Sequence, residues 1–303
     1  MIALIRLRDL DVVSNEDRPA GGFVSAASGL VRVGDFLHVV ADDDLSLATF
    51  RLGDPDPGRL LPMLPGVLPP GPAERKKAKP DFEALVALPP MENHPHGALL
   101  AMGSGSRPNR RRGVLMELGR NGTPLATRPV DLSTLYRSCE DAFDELNIEG
   151  AVVRDDRLLL FQRGNAGNPL NAIVSLPLVD ALAALDPGSS DRSPTPAIRI
   201  VDVGTMAGVP LAFTDAAIVD GMIVFSAVAE DTRNAYDDGP LAGAAIGIVD
   251  PTGAVLRLEA IDPPVKVEGI DAVRDGDLLR LTLVTDADDP AKPAGLFTAT
   301  LPI

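Results

Sequence analysis

Tryptophan is absent from the chain, and cysteine occurs once, at Cys139. A lone thiol excludes a disulfide within the chain and any zinc site built on several cysteines. Aromatic residues make up only 4%, and basic residues are outnumbered, 28 Lys and Arg against 43 Asp and Glu, giving a net charge of −15. Such a surface repels nucleic acid and anionic membrane, so neither is an expected partner. No apolar run approaches the ~18 residues of a membrane-spanning helix. Arg6, Arg8, Asp9 and Asp11 interrupt the N-terminal "MIALIRLRDLD" before it can form the apolar stretch of a secretory signal. A soluble, cytoplasmic and monomeric chain is the expectation.

What the chain has in quantity is glycine and proline, 28 of each among 303 residues that are 45% hydrophobic. With no collagen period and no polar low-complexity tract, that composition points to many turns between short strands. A repeat carries the point further. "NIEGAVV" (147–153) returns as "KVEGIDAV" (266–273) and, more weakly, as "DFEALVAL" (81–88). Aligned on these, five segments each read as a polar residue, a small residue, an apolar strand, a turn and a second apolar strand. The turns fall at Gly34-Asp35, His96-Gly97, Asp155-Asp156, Asp220-Gly221 and Asp275-Gly276. Asp-Gly and Gly-Asp pairs between apolar runs are hairpin signals.

The anchor positions are Ser28, Glu83, Glu149, Asp215 and Glu268, spaced by 55, 66, 66 and 53 residues. Third strands fit 45–52, 112–118, 171–178, 243–250 and 295–302. Fourth strands fit 124–132, 197–203 and 254–262, with a poorer one at 59–64. The last unit lacks a fourth strand, and "IALIRLRDL" (2–10) has the pattern to supply it. That would close a ring and remove the exposed sheet edge. The expected fold is therefore an all-β propeller of five four-stranded blades, one domain over 1–303, closed by the N-terminal strand. A β-sandwich or a pair of barrels is the alternative, and six blades stay open because 53–80 and 180–196 are irregular. One helix is expected, in "TLYRSCEDAFDEL" (134–146), where Leu135, Cys139, Phe143 and Leu146 recur at helical spacing.

In a propeller the first strand of each blade lines the central channel, so the five anchors should ring one mouth. Glu83, Glu149, Asp215 and Glu268 would repel one another there unless a cation, a shared proton or basic groups intervene. Oxygen donors alone suit a hard cation, Ca²⁺ or Mg²⁺. The plainer alternative is that each anchor caps backbone N–H groups and holds the blades in register. Basic residues concentrate at "ERKKAK" (74–79) and "RPNRRR" (107–112), which should meet on the same face. Arg107, with Ser104 in the Gly-Ser-Gly-Ser lead-in and Arg163 and Arg233 in equivalent loops, forms a candidate site for an anionic small molecule. Solvated neutralisation of the acidic surface is the alternative. Nucleotide-binding glycine motifs and a G-x-S-x-G elbow are both missing. His38 reads as packed within a strand, and His94 and His96 fall in a turn on the opposite face.

"NIEGAVV" and "KVEGIDAV" resemble the E-G-[IAL] repeats of phytase-like, esterase-like and SdiA-regulated propeller proteins. "KAKPDFEALVAL", "GSGSRPNRRRGVL" and "ELNIEGAVV" also resemble an uncharacterised bacterial family with a predicted propeller fold. The first resemblance implies Ca²⁺ at an acidic channel mouth. The expected function is a small-ligand-binding propeller with a cation at its mouth and an anionic ligand at its rim, extending to a metal-dependent phosphate- or carboxylic-ester hydrolase. The alternative is a non-enzymatic scaffold that docks an acidic partner through its basic patch.

Overall fold

The computed structural model describes residues 1–13, 22–165, 167–186, 193–232 and 239–303. Five antiparallel sheets follow one another along the chain as the blades of a propeller. Blade one runs Ala27–Val33, Phe36–Ala41, Ser46–Arg51 and Arg59–Pro62. Blade two runs Phe82–Leu88, Ala98–Gly103, Arg112–Leu118 and Pro124–Asp131. Blade three runs Ile148–Arg154, Arg157–Gln162, Asn171–Pro177 and Ala197–Val201. Blade four runs Val209–Val219, Met222–Glu230, Leu241–Val249 and Val255–Ala260, and gains a fifth short strand, Thr205–Met206, beside its first. Blade five runs Val267–Asp275, Leu278–Thr285 and Gly295–Pro302, and the N-terminal strand Ile5–Asp9 completes it.

Ring closure therefore takes the form expected from the sequence, with Ile5 opposite Thr298 and Asp9 opposite Gly295. The first strands of successive blades contact one another in order, and that of blade five meets that of blade one. The two irregular segments do not add a sixth blade. The segment from 53 to 80 holds the outer strand of blade one and a helix, α1 (Pro72–Ala78). A second helix, α2 (Ser133–Glu140), occupies the start of the expected helical stretch, and a third, α3 (Leu178–Ala183), follows blade three's third strand. Both α1 and α3 correct the expectation of one helix. They are too short to show a periodic apolar stripe, and α1 buries none of its residues. Among the described residues, no helix is long and apolar enough to cross a membrane.

Each blade buries both faces against its neighbours, which is why its inner strands read as continuous apolar runs rather than alternating ones. Five apolar clusters result, one in each gap between blades. The gap between blades three and four holds an edge-to-face chain of Phe161, Phe213 and Phe225, with ring centroids 5.4 and 5.1 Å apart. Outer strands keep one face in water, as the exposed side chains of Ala197 and Arg199 show. At the Asp220-Gly221 turn both residues have positive φ, 49° and 78°, the geometry that the dipeptide suggested.

Candidate functional site: an acidic cavity at the channel mouth

The E-G repeat owes its form to two local features of the first strand. In blades two, three and five, the glutamate occupies a β-bulge, skipped by the ladder between Phe82 and Ala84, Ile148 and Gly150, and Val267 and Gly269. A bulge re-aims the extra side chain, here toward the mouth. The small residue that follows stands where the next blade's inner strand comes closest. A Cβ on Gly29 would lie 2.8 Å from the Leu85 nitrogen, and one on Gly150 would lie 3.0 Å from the Asp215 Cα.

Blade four departs from the alignment by one residue. Its ladder skips Thr214, between Phe213 and Asp215, so Thr214 holds the anchor position and Asp215 takes the place of the glycine. Asp215 therefore does not join the mouth carboxylates. It is fully buried where the inner strands converge, and its Oδ2 accepts from the Ile270 N–H of blade five at 2.9 Å. Burial pushes its carboxyl well above the usual carboxylate range, against the pull of the Ile270, Ala216 and Leu30 N–H groups. Thr214 Oγ1 donates to the Val267 carbonyl at 2.7 Å, tying the same two blades together.

The other anchors open onto one cavity of about 580 Å³. Ser28, Glu83, Glu149 and Glu268 line it, together with the residues just ahead of three of the same strands, Asp81, Asn147 and Lys266. The ends of second strands and the loops that follow them add Asp42, Asp43, Arg110, Arg163, Glu230, Asp286, Asp288 and Asp289, and α1 with its flanks adds Arg75, Lys76 and Lys79. Among the described residues the lining thus carries ten carboxylates and six cationic side chains.

Those charges form two networks. On the side of blades one and two, Lys79 binds Asp42 and lies 3.0 Å from Asp81 Oδ1, while Arg110 Nη1 lies 2.7 Å from Asp81 Oδ2. Arg75 binds Asp43 at 3.1 Å. On the far side Arg163 lies 3.1 Å from Glu149, 2.5 Å from Glu230 and 3.9 Å from Glu268. Lys266 lies 3.5 Å from both Glu230 and Glu268 and 2.7 Å from Asp288. Asn147 Nδ2 donates to Glu149 at 2.6 Å. Burial works against the Lys79, Lys266 and Arg163 cations, but the surrounding carboxylates outweigh it and hold all three above their ordinary values.

Between the networks stands Glu83. Among the described residues no hydrogen bond or ion pair reaches its carboxylate. Burial, then the charges of Glu149, Asp81 and Asp42, push its carboxyl well above the usual range, against the pull of the Lys79 ammonium. Burial likewise lifts Asp42 to about 6, Asp286 to about 7 and Glu268 to about 8, in each case despite a nearby lysine. Glu149 is also raised by burial, with Arg163 pulling the other way. Glu268 Oε2 is buried and, among the described residues, has no hydrogen-bond partner. Asp42, Asp81 and Glu83 each offer an oxygen within 4.8 Å of the others, a grouping that could hold a metal ion. Two of the three already carry cations, Lys79 on Asp42 and Asp81, and Arg110 on Asp81.

The residues expected to bind an anion are distributed differently. Arg163 reaches the cavity and is held there by three carboxylates. Ser104 is buried and donates to Asp81 Oδ2 at 2.6 Å. Arg107 is exposed and does not line the cavity. Arg233 lies outside the described residues. His38 is buried between blades one and two, its ring nitrogens 3.0 Å from Thr49 Oγ1 and from the Gly122 carbonyl. The His94 turn is absent from the cavity wall.

Lys79, Asp81 and Lys266 are site residues that the motif did not single out. Their signal was a period of two before the anchor, D-F-E, N-I-E and K-V-E, with Lys79 two residues earlier again.

A five-bladed propeller with a predominantly acidic cavity at one end of its channel is the class that fold and site define. Residues 23–301 match the model of a family of unknown function, DUF6929, and the chain belongs to that family. No curated protein matches the sequence. Among solved structures, the glutaminyl cyclase of Myxococcus xanthus is similar at 11% identity and a TM-score of 0.50, with 100% of this chain and 98% of that one covered. The Pan2 WD40 domain of Neurospora crassa is similar at 9% identity and a TM-score of 0.42, with 98% of each covered. At such identities the likeness is one of fold.

Proposed function

We propose that the mouth cavity binds a small ligand that carries positive charge, with Glu83 as its principal anchor. The observation that carries this reading is the state of the charges. Arg75, Lys79, Arg110, Arg163 and Lys266 are each already held by a carboxylate. Among the described residues Glu83 has no such partner, and carboxylates outnumber cations in the cavity lining. A half-buried carboxylate crowded by like charges is costly, and a cationic ligand relieves that cost as it binds. An anionic ligand, expected from the basic rim, would have to draw Arg163 away from Glu149 and Glu230.

A second reading, a metal-dependent ester hydrolase with Ca²⁺ or Mg²⁺, is favoured by the grouping of Asp42, Asp81 and Glu83. Its oxygen donors have the right chemistry for a hard cation. Against it stand Lys79 and Arg110, which already offset two of the three charges. Thermal unfolding in a panel of solutes separates these readings. Cationic solutes should raise the melting temperature of the wild type and leave Glu83→Gln unmoved, while sodium phosphate and sodium acetate should change neither. Stabilisation by the anions alone would refute the cation reading, and stabilisation by Ca²⁺ or Mg²⁺ alone would favour the second.

A further inference from the structure

Resting on the cation-site reading, we infer that the ligand is an organic ammonium compound rather than a metal ion, its ammonium group at Glu83 and its carbon body against Phe23, Pro70 and Pro72. Three observations converge on this class. The first is internal precedent. The cavity already holds two primary ammonium groups between blades, Lys79 between Asp42 and Asp81, and Lys266 between Glu230 and the Glu268 and Asp288 carboxylates of blade five. An ammonium presents three N–H donors to such oxygens.

The second is unmet acceptor capacity in the same ring of inner strands. Glu83 receives no hydrogen bond among the described residues. Glu268, with a side chain only 6% exposed, has a buried Oε2 without a partner among those residues, and its nearest cations stand 3.5 and 3.9 Å from its other oxygen. Buried acceptors are ordinarily satisfied, so a donor belongs at Glu268 Oε2, and half-buried Glu83 offers its oxygens to the same cavity. The third is size. A cavity of about 580 Å³ falls within the range of small-molecule sites. It is far larger than a bare ion needs, and its lining includes Phe23, Pro70 and Pro72. The metal grouping, by contrast, is three carboxylates already faced by Lys79 and Arg110.

The test is titration calorimetry at pH 8 with butylammonium chloride, 1-butanol and calcium chloride, on the wild type and on Glu83→Gln, whose fold is checked by circular dichroism. Butylammonium should bind the wild type saturably, and butanol and Ca²⁺ should not. Glu83→Gln should weaken butylammonium by about tenfold or more, the worth of a hydrogen bond to a charged group. Binding of Ca²⁺ with butylammonium inert overturns this inference and leaves the cation site standing. Heat from neither cation overturns both. Equal binding of butylammonium and butanol, or equal butylammonium affinity in wild type and variant, overturns the ammonium placement at Glu83. The wild-type series decides the ligand class even if the variant fails to fold.

Discussion

Glu83 and His38 show two environments that this chain gives an ionisable group. Glu83 lies half-buried at the cavity with like charges around it, and among the described residues no cation forms an ion pair with it. His38 is enclosed by protein and fully hydrogen-bonded in its neutral form, Nε2–H donating to the Gly122 carbonyl and Nδ1 accepting from Thr49. Burial lowers its pKa from 6.5 to about 4, with the Gly122 carbonyl opposing the shift. Because the folded-state value is depressed, its contribution to stability is present above pH 6.5 and is lost as pH falls toward 4. Urea denaturation at pH 7 and pH 4 should show the wild type losing more stability than His38→Gln, by on the order of 3 kcal/mol. Parallel losses would contradict that assignment. The packed role of His38 was legible from its place inside an apolar strand. The anchor in blade four was not. "FTDAAI" invites alignment of acid on acid, yet the ladder puts Thr214 in the bulge and Asp215 in the glycine's place.

Among elements, the first strands carry the account. Their E-G pairs were legible because both residues answer a backbone demand, a bulge for the glutamate and a close approach for the glycine. Pairing of the charges was not legible, since Lys79 meets Asp42 and Arg163 meets Glu230 across blades, from loops with no local relation in sequence. Helices α1 and α3 were missed for want of length. The close approach makes a prediction about the repeat itself. A methyl on Gly29 would come within 2.8 Å of the Leu85 nitrogen and 3.0 Å of Val40 Cγ2, and backbone cannot step aside as a side-chain tip can. Gly29→Ala should therefore cost about 1–3 kcal/mol, read as a lower urea midpoint with unchanged slope. Gly150→Ala, with nearest contacts of 3.0 to 3.2 Å, should cost less. An unchanged midpoint in Gly29→Ala would mean that the inner strands are not in contact there.

For the whole molecule, closure by Ile5–Asp9 brings strand ends from all five blades to one face, so an acidic chain of net charge −15 concentrates its most crowded carboxylates at one mouth. Propeller, blade count and closing strand could all be read from the repeat, because each follows from strand pattern and edge pairing. The chemistry of the mouth needed the assembled ring. Burial brings Asp286 to about 7 and Glu268 to about 8, and it also raises Glu83 well above its ordinary value. A cation arriving there favours the ionised forms, so protons must leave as it binds. The central claim is tested most directly by calorimetric titration of butylammonium chloride and calcium chloride at pH 7, in Pipes and in Tris, which differ widely in ionisation heat. The account predicts that the cation that binds gives different apparent heats in the two buffers, from net proton release, and that Glu83→Gln narrows the difference. Absence of heat from both cations, or binding heat identical in both buffers, would contradict it.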